Sequence, residues 1–473
     1  MASIRLSTGG EGIGNQFPLS ESVHLTLIRE GCCDQPLNCG YGMLYAPSVI
    51  LPDQTIAERL VSFPGFVHAE CGWGIAALRV DLSGQETDSG QLLYWTTEDF
   101  IAFNEHGMRP RSDFPEYDPA HPVCEAAIPD EICPRICGHW LARPSGEKPL
   151  FPLADGYADP VLFRWKGAWY FLATNDNTDD VGLFIRSAPT MMGLFAPDAK
   201  EHCILARNDS LDLVQTFWAP EMHLIGGRMT ILLAIGGKAW GPQCRMMFLR
   251  GGGDPLCAQD WETPVLVCRR DGSPLGGEGI TLDMTCVHTP REDYLVWSYR
   301  EHIGTPMDTG SMLMIARMDR HEPWRLASEP VVLSRPLYAW ENRGRTINNE
   351  GPYPLYVGED VYLTYSGGAA GGESYAIGYL KASLRDDLTD PAVWRKSPMP
   401  VLHSLRVPGV YGPGHNSFFT DEAGQVWIAY HAQCSPEDRI RRTGMHTVTF
   451  DADGTPVFDC RTLEDKGGVC SAK

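Results

Sequence analysis

Four carboxylates and one histidine recur at similar places along the chain: Asp159, Glu221, Asp283, Glu350 and His415. They stand in Tyr157-Ala-Asp-Pro160, Trp218-Ala-Pro-Glu221, Leu282-Asp-Met-Thr285, Asn349-Glu-Gly-Pro352 and Gly412-Pro-Gly-His-Asn416. Two carboxyls across a cavity are what hydrolysis of a glycosidic bond requires. One protonates the leaving oxygen, and the other activates water or attacks directly. A third carboxylate nearby raises the acid's pKa by like-charge repulsion and keeps it protonated near neutral pH. A single Asp-Pro or Glu-Gly-Pro is an ordinary turn. The signal is the placement of these residues at the same position of successive repeats.

The repeats are the elements that must position them. Asp159 opens an apolar run to residue 165, a Lys166-Gly167 turn follows, and further runs cover 169–174 and 181–187, which is a β-meander. The same unit returns from Trp218, Leu282, Asn349 and Gly412, roughly 60 to 70 residues apart, and Trp261, Trp324 and Trp394 close three of the copies. A meander cannot bury both its faces alone. Ring closure solves this, each sheet packing on its neighbours around a central channel. The sequence therefore predicts an all-β chain with a five-bladed β-propeller catalytic domain over 151–473. The first strand of each blade lines the channel, so the five polar residues at the strand heads converge on one cavity.

Residues 1–150 do not fit the repeat and predict an N-terminal β-rich accessory region, with a strand pair at 72–80 and 90–96. Residues 143–149 read as a linker. The formal charge of −21 and the lack of a basic patch exclude a nucleic-acid or anionic-membrane partner. No apolar run is long enough to span a bilayer, and the first residues lack the pattern of a signal peptide. Fifteen cysteines, an odd number with several inside apolar runs, suit a reducing compartment better than a disulfide framework. The expectation drawn from these features is a cytoplasmic protein. Cys133, Cys137 and His139, or Cys32, Cys33 and Cys39, lack the paired spacing of a zinc site.

The motifs resemble glycoside hydrolase family 43. The six that carry the resemblance are Tyr157-Ala-Asp-Pro160, Trp218-Ala-Pro-Glu221, Leu282-Asp-Met-Thr285, Asn349-Glu-Gly-Pro352, Gly412-Pro-Gly-His-Asn-Ser417 and Tyr430-His431. They stand in family order over about residues 151–460. The resemblance implies a five-bladed propeller and hydrolysis with inversion, with Asp159 as general base, Glu350 as general acid and Asp283 as the carboxylate that tunes the acid. It implies that His415 faces a calcium or similar ion on the channel axis through water. Trp218, Trp297 and Tyr411, with Glu221 and Arg442, make the expected substrate-binding set. Residues 335–341 and 411–418 look most like the exo-acting α-L-arabinofuranosidase branch, whose substrates are oligosaccharides from plant cell walls. Met284-Thr285 after Asp283 departs from the Gly-Thr or Pro common in the family. The alternatives are a β-xylosidase, an endo-arabinanase, or a propeller that only binds sugar or protein. The fructan and sucrose hydrolases share the architecture, but their Arg-Asp-Pro signature does not occur here.

Overall fold

The structure, a computed structural model, describes residues 2–8, 22–141, 148–343, 346–451 and 453–460. Each of the five units forms a four-stranded antiparallel sheet. Their inner strands are β1 (Tyr157–Trp165), β2 (Gln215–Ile225), β3 (Ile280–His288), β4 (Glu350–Val357) and β5 (Tyr411–Thr420). Each inner strand touches the next, and β5 touches β1, so the row of sheets closes on itself.

The ring accounts for the apolar pattern. The second strands, such as Ala168–Asn175 and Arg228–Gly237, have a neighbouring sheet on both faces and are almost wholly buried, so they read as continuous apolar runs instead of alternating. A separate core lies at each junction. Leu172 meets Phe217 and Leu233. Leu232 and Met246 meet Cys286 and Trp297. Val296 and Leu313 meet Leu363 and Tyr365. Leu355 and Ile377 meet Ile428 and Tyr430. Ala429 and Met445 meet Trp169 and Phe171. Trp261 and Trp394 stand just before the short outer strands of their sheets, and their indole N–H groups donate to the Pro255 and Leu388 carbonyls.

The fifth sheet takes its outer strand from the start of the repeat region. Leu150–Asp155 pairs with Arg442–Thr447, so the start of the repeat region and its last blade strand are joined in one sheet. Residues 143–147 of the segment read as a linker lie outside the described residues.

Every inner strand carries the same irregularity. Two of its residues oppose one on the partner within 158–161, 218–221, 282–285, 350–353 and 414–417. Each is a β-bulge with one residue in the left-handed region: Asp159 (φ 52°), Ala219 (46°), Asp283 (53°), Gly351 (57°) and His415 (46°). Such a conformation costs a non-glycine residue on the order of 1–3 kcal/mol and gathers at functional sites. The bulge corrects the expectation that five polar residues share one position. Asp159, Asp283 and His415 do, Glu350 stands one residue before the bulge, and Glu221 stands two beyond it.

The described N-terminal residues form two larger sheets and a two-stranded one of Val49–Ile50 and Ile56–Ala57. One larger sheet holds Ala2–Thr8, Ser22–Arg29, Gln35–Pro36, Leu44–Tyr45 and Glu125–Ile128. The other holds Leu60–Val67, Trp73–Val80, Gln91–Thr97 and Asn104–Pro110. Tyr41 and Tyr45 enter the core between the third and fourth sheets. No helix among the described residues is long and apolar enough to cross a membrane.

Candidate active site

The bulges turn Asp159, Asp283 and His415 off the sheet plane at the heads of β1, β3 and β5, and Glu350 opens β4. Asp159 is 6% exposed, and its Oδ2 accepts a hydrogen bond from Thr174 Oγ1 at 2.6 Å. Its Oδ1 receives no well-aligned hydrogen bond among the described residues, although it is ringed by nitrogen atoms. His415 Nδ1 and His431 Nδ1 lie 3.1 Å from it and Arg441 Nη1 3.8 Å. Burial works to raise the Asp159 carboxyl, and His415, His431 and Arg441 act to lower it, to well below the usual carboxylate range; burial draws the His415 imidazole itself down to about 4, so Arg441 is the permanent charge facing Asp159 at neutral pH. Asp159 is therefore an anion with one oxygen free to take a proton.

The tautomer of His431 is fixed by its neighbours. Its Nδ1 accepts from the Asp159 backbone N–H at 3.2 Å, so its Nε2 donates to the Ala370 carbonyl at 2.9 Å. Tyr375 stacks on this ring at 5.3 Å between centroids, and its hydroxyl donates to Glu350 Oε1 at 2.8 Å. A continuous packed path thus joins the Asp159 backbone to the Glu350 carboxyl.

Glu350 and Asp283 are shifted the opposite way to Asp159. Burial raises Glu350, the charge of Asp159 adds to the rise, and hydrogen bonds from Asn348 and Tyr375 partly offset it. Burial also raises Asp283 well above its ordinary value, reinforced by Glu350 and Asp159 and opposed by the Gly351 N–H that donates to its Oδ2 at 3.1 Å. Two desolvated carboxyls that repel each other this way titrate as a pair, the charge of one making the other's proton harder to lose. The three carboxyls named from the sequence are brought together, Asp159 drawn below the ordinary range and Asp283 and Glu350 raised above it.

The remaining expected residues are placed differently. Trp218 is half-buried, and its indole N–H donates to Asp180 Oδ2 at 2.7 Å. Tyr411 starts β5, half-buried, opposite Gln433. Glu221 lies along the strand beyond the bulge, bonded to His223 Nε2 at 2.7 Å. Burial raises Glu221 far above its ordinary value and pulls His223 down to about 3, so desolvation works against charge on both members of the pair. Trp297 does not reach the cavity. It is 1% exposed in the core between the second and third sheets, because its strand position faces the neighbouring sheet. Arg442 is turned to Asp155 and Asp438. The guanidinium that reaches the carboxylates is that of the adjacent Arg441, whose Nη2 and Nε lie 2.5 and 3.0 Å from the Asp176 carboxylate. Arg441 and Tyr375 escaped the sequence reading: each stands one residue before a strand (Arg442–Thr447 and Ala376–Ser383), where no alternation marks it.

The donors around His415 do not make an inner shell for calcium. That ion takes six to eight oxygens, whereas the centre here is an imidazole whose Nδ1 faces Asp159. No group of three His, Cys, Asp or Glu suited to a metal ion occurs among the described residues. No step below passes through an ion.

A family model described as "Glycosyl hydrolases family 43" matches residues 151–456. An "Extracellular exo-alpha-(1->5)-L-arabinofuranosidase" of Streptomyces avermitilis is 34% identical over 316 residues, 65% of this chain and 62% of that protein. The chain thus spans less than two thirds of the length of that relative. A protein of the same description from Streptomyces chartreusis is 32% identical over 328 residues, 69% of this chain and 95% of that protein. The crystal structure of an alpha-L-arabinofuranosidase from Lactobacillus brevis aligns with a TM-score of 0.57 at 30% identity, covering 65% of this chain and 95% of that one. Both Streptomyces proteins are named extracellular, which points to secretion and overturns the cytoplasmic expectation. Thiols such as Cys244 and Cys286, fully buried between sheets, act as small apolar side chains and carry no information about compartment.

Proposed function

Since the chain belongs to glycosyl hydrolases family 43, we propose that it releases α-L-arabinofuranosyl residues from arabinan- or arabinoxylan-derived oligosaccharides, with inversion. The five sheets are then the blades of a five-bladed propeller over 151–473, a reading supported by the closed succession of inner strands, with 1–150 as an accessory region. The observation that carries the chemistry is the opposite displacement of two carboxyls in one site: Asp159 drawn below the ordinary carboxylate range, Glu350 raised above it.

Asp159 Oδ1 takes a proton from water on one face of the sugar. Glu350 gives its proton to the departing oxygen on the other. The base-to-acid gap for such a reaction is roughly 6.5 to 9.5 Å, which leaves room for the water. Asp283 shares the proton of the pair and orients β4 through the Gly351 N–H. Arg441 keeps Asp159 ionised and ties it to Asp176. Trp218 and Tyr411, half-buried at the heads of β2 and β5, supply faces for the sugar.

The exo-acting arabinofuranosidase reading is supported by the activity for which both Streptomyces relatives are named. It is tested by assaying nitrophenyl α-L-arabinofuranoside, nitrophenyl β-D-xyloside and linear arabinan side by side. Turnover of the first, with stepwise release of single arabinose units from the third, is expected. Preference for the xyloside, or release of oligomers from arabinan, overturns it.

A further inference from the structure

Glu341 is wholly buried, on a short helical turn (Ala339–Asn342) before β4. Its carboxylate is fully occupied. Oε1 takes Lys396 Nζ at 2.5 Å, Tyr365 OH at 2.8 Å and Asn349 Nδ2 at 2.9 Å, while Oε2 takes the Tyr338 N–H at 2.8 Å. Lys396 also donates to Asn349 Oδ1 at 3.2 Å and to the Arg335 carbonyl at 2.7 Å. Ser334 Oγ completes the grip on Asn349 Oδ1 at 2.7 Å, and the Asn349 N–H donates to the Ser311 carbonyl. Gly367 admits this turn, since a Cβ there would meet the Glu341 Cα at 2.9 Å.

Asn349 is therefore held at both ends of its amide and at its backbone, and Glu350 is the next residue. The Glu341 carbonyl accepts from the N–H groups of Asn348 and Gly368, and Asn348 Nδ2 donates to the Gly368 carbonyl. The turn is also fastened to the N-terminal sheets: Ser48 N–H donates to the Leu337 carbonyl, Arg335 to the Gln54 carbonyl, and Tyr338 OH to Glu105. Desolvation makes a buried ion pair a poor device for stability and a better one for fixing geometry.

We infer that the buried Glu341–Lys396 pair is a positioning device for the acid Glu350, acting through Asn349. This rests on Glu350 being the acid, and it goes beyond it by naming residues that touch no substrate. A misplacement of about 1 Å at a reacting group can cost about 100-fold, and the loss falls on the step that needs a well-aimed proton.

The test compares Lys396→Met, Tyr365→Phe and Glu350→Gln on an arabino-oligosaccharide and on nitrophenyl α-L-arabinofuranoside, with melting curves for each. Tyr365→Phe removes one hydroxyl and keeps the ring, so it decides the matter if Lys396→Met does not fold. Expected for both network variants is a kcat loss at least about 10-fold larger on the oligosaccharide than on the aryl substrate, with KM unchanged and the basic limb of the pH profile displaced. Equal losses on both substrates, tracking the fall in melting temperature, overturn the inference while a leaving-group-dependent loss in Glu350→Gln leaves the acid assignment standing. Should Glu350→Gln itself show no leaving-group dependence, the acid assignment fails instead, and the inference with it.

Discussion

Replacing Asp159 by Asn separates the base from every other role in the site. Asparagine tolerates the left-handed backbone as aspartate does, so the bulge at φ 52° survives. One hydrogen bond is compromised. Thr174 Oγ1 accepts from the Ala219 N–H and gives its own proton to Asp159 Oδ2, and an amide nitrogen at that oxygen's place cannot receive it. Arg441 also loses a counter-charge, although Asp176 still holds it on two nitrogens. A buried donor left unsatisfied costs about 1–3 kcal/mol, so the variant should fold with a lower melting temperature. The sign of its pH dependence follows from the depressed Asp159 pKa. The wild-type carboxylate contributes stability above its unfolded value, about 3.9, and loses it only as pH falls through the lower folded value. The melting difference should thus stay constant from about pH 5 to 8 and shrink in stronger acid. Turnover should fall about 100- to 10,000-fold, the usual share of a general base, and equally on oligosaccharide and aryl substrates, because water must be activated for every leaving group. Kinetics on both substrates checks this. Activity lost on the oligosaccharide but kept on the aryl glycoside would make Asp159 the acid and refute the reasoning.

Asp283→Asn removes a like charge from beside Glu350, so the pair's proton should leave at lower pH and the basic limb of kcat/KM should move toward acid; an unmoved limb contradicts the sharing of that proton. Trp297→Ala should cost about 3–5 kcal/mol of stability as a buried aromatic truncation, whereas Trp218→Phe, which loses only the bond to Asp180, should chiefly raise KM; denaturation and steady-state kinetics separate the two. Exhaustive chelation tests the expected hydrated ion facing His415: unchanged activity and melting would remove it. A loss restored by calcium would instead reveal an ion held at His415 through water.

Much of this was legible before any coordinates. The five strand units, their order, and Asp159, Asp283 and Glu350 all follow from apolar runs broken by turn residues. The register of the inner strands did not. Aligning repeats on polar side chains selects Glu221 and Glu350, but the position that matters is a backbone conformation, and in two sheets it is occupied by Ala219 and Gly351. Arg441 and Arg442 are adjacent in sequence and lie on opposite faces, so a single residue of register decides which guanidinium meets Asp159. Trp297 and Trp218 are the same residue type, yet one faces a neighbouring sheet and the other the Asp180 carboxylate. The pairing of Leu150–Asp155 with Arg442–Thr447 joins segments nearly 300 residues apart, which no local pattern can announce.

The most direct test of the opposed roles of Asp159 and Glu350 is proton NMR of the first-formed sugar, recorded before mutarotation. An α-L-arabinofuranoside should release β-L-arabinofuranose, the product of single displacement by water activated at Asp159. First appearance of the α anomer would show retention, and with it a nucleophile in place of a base.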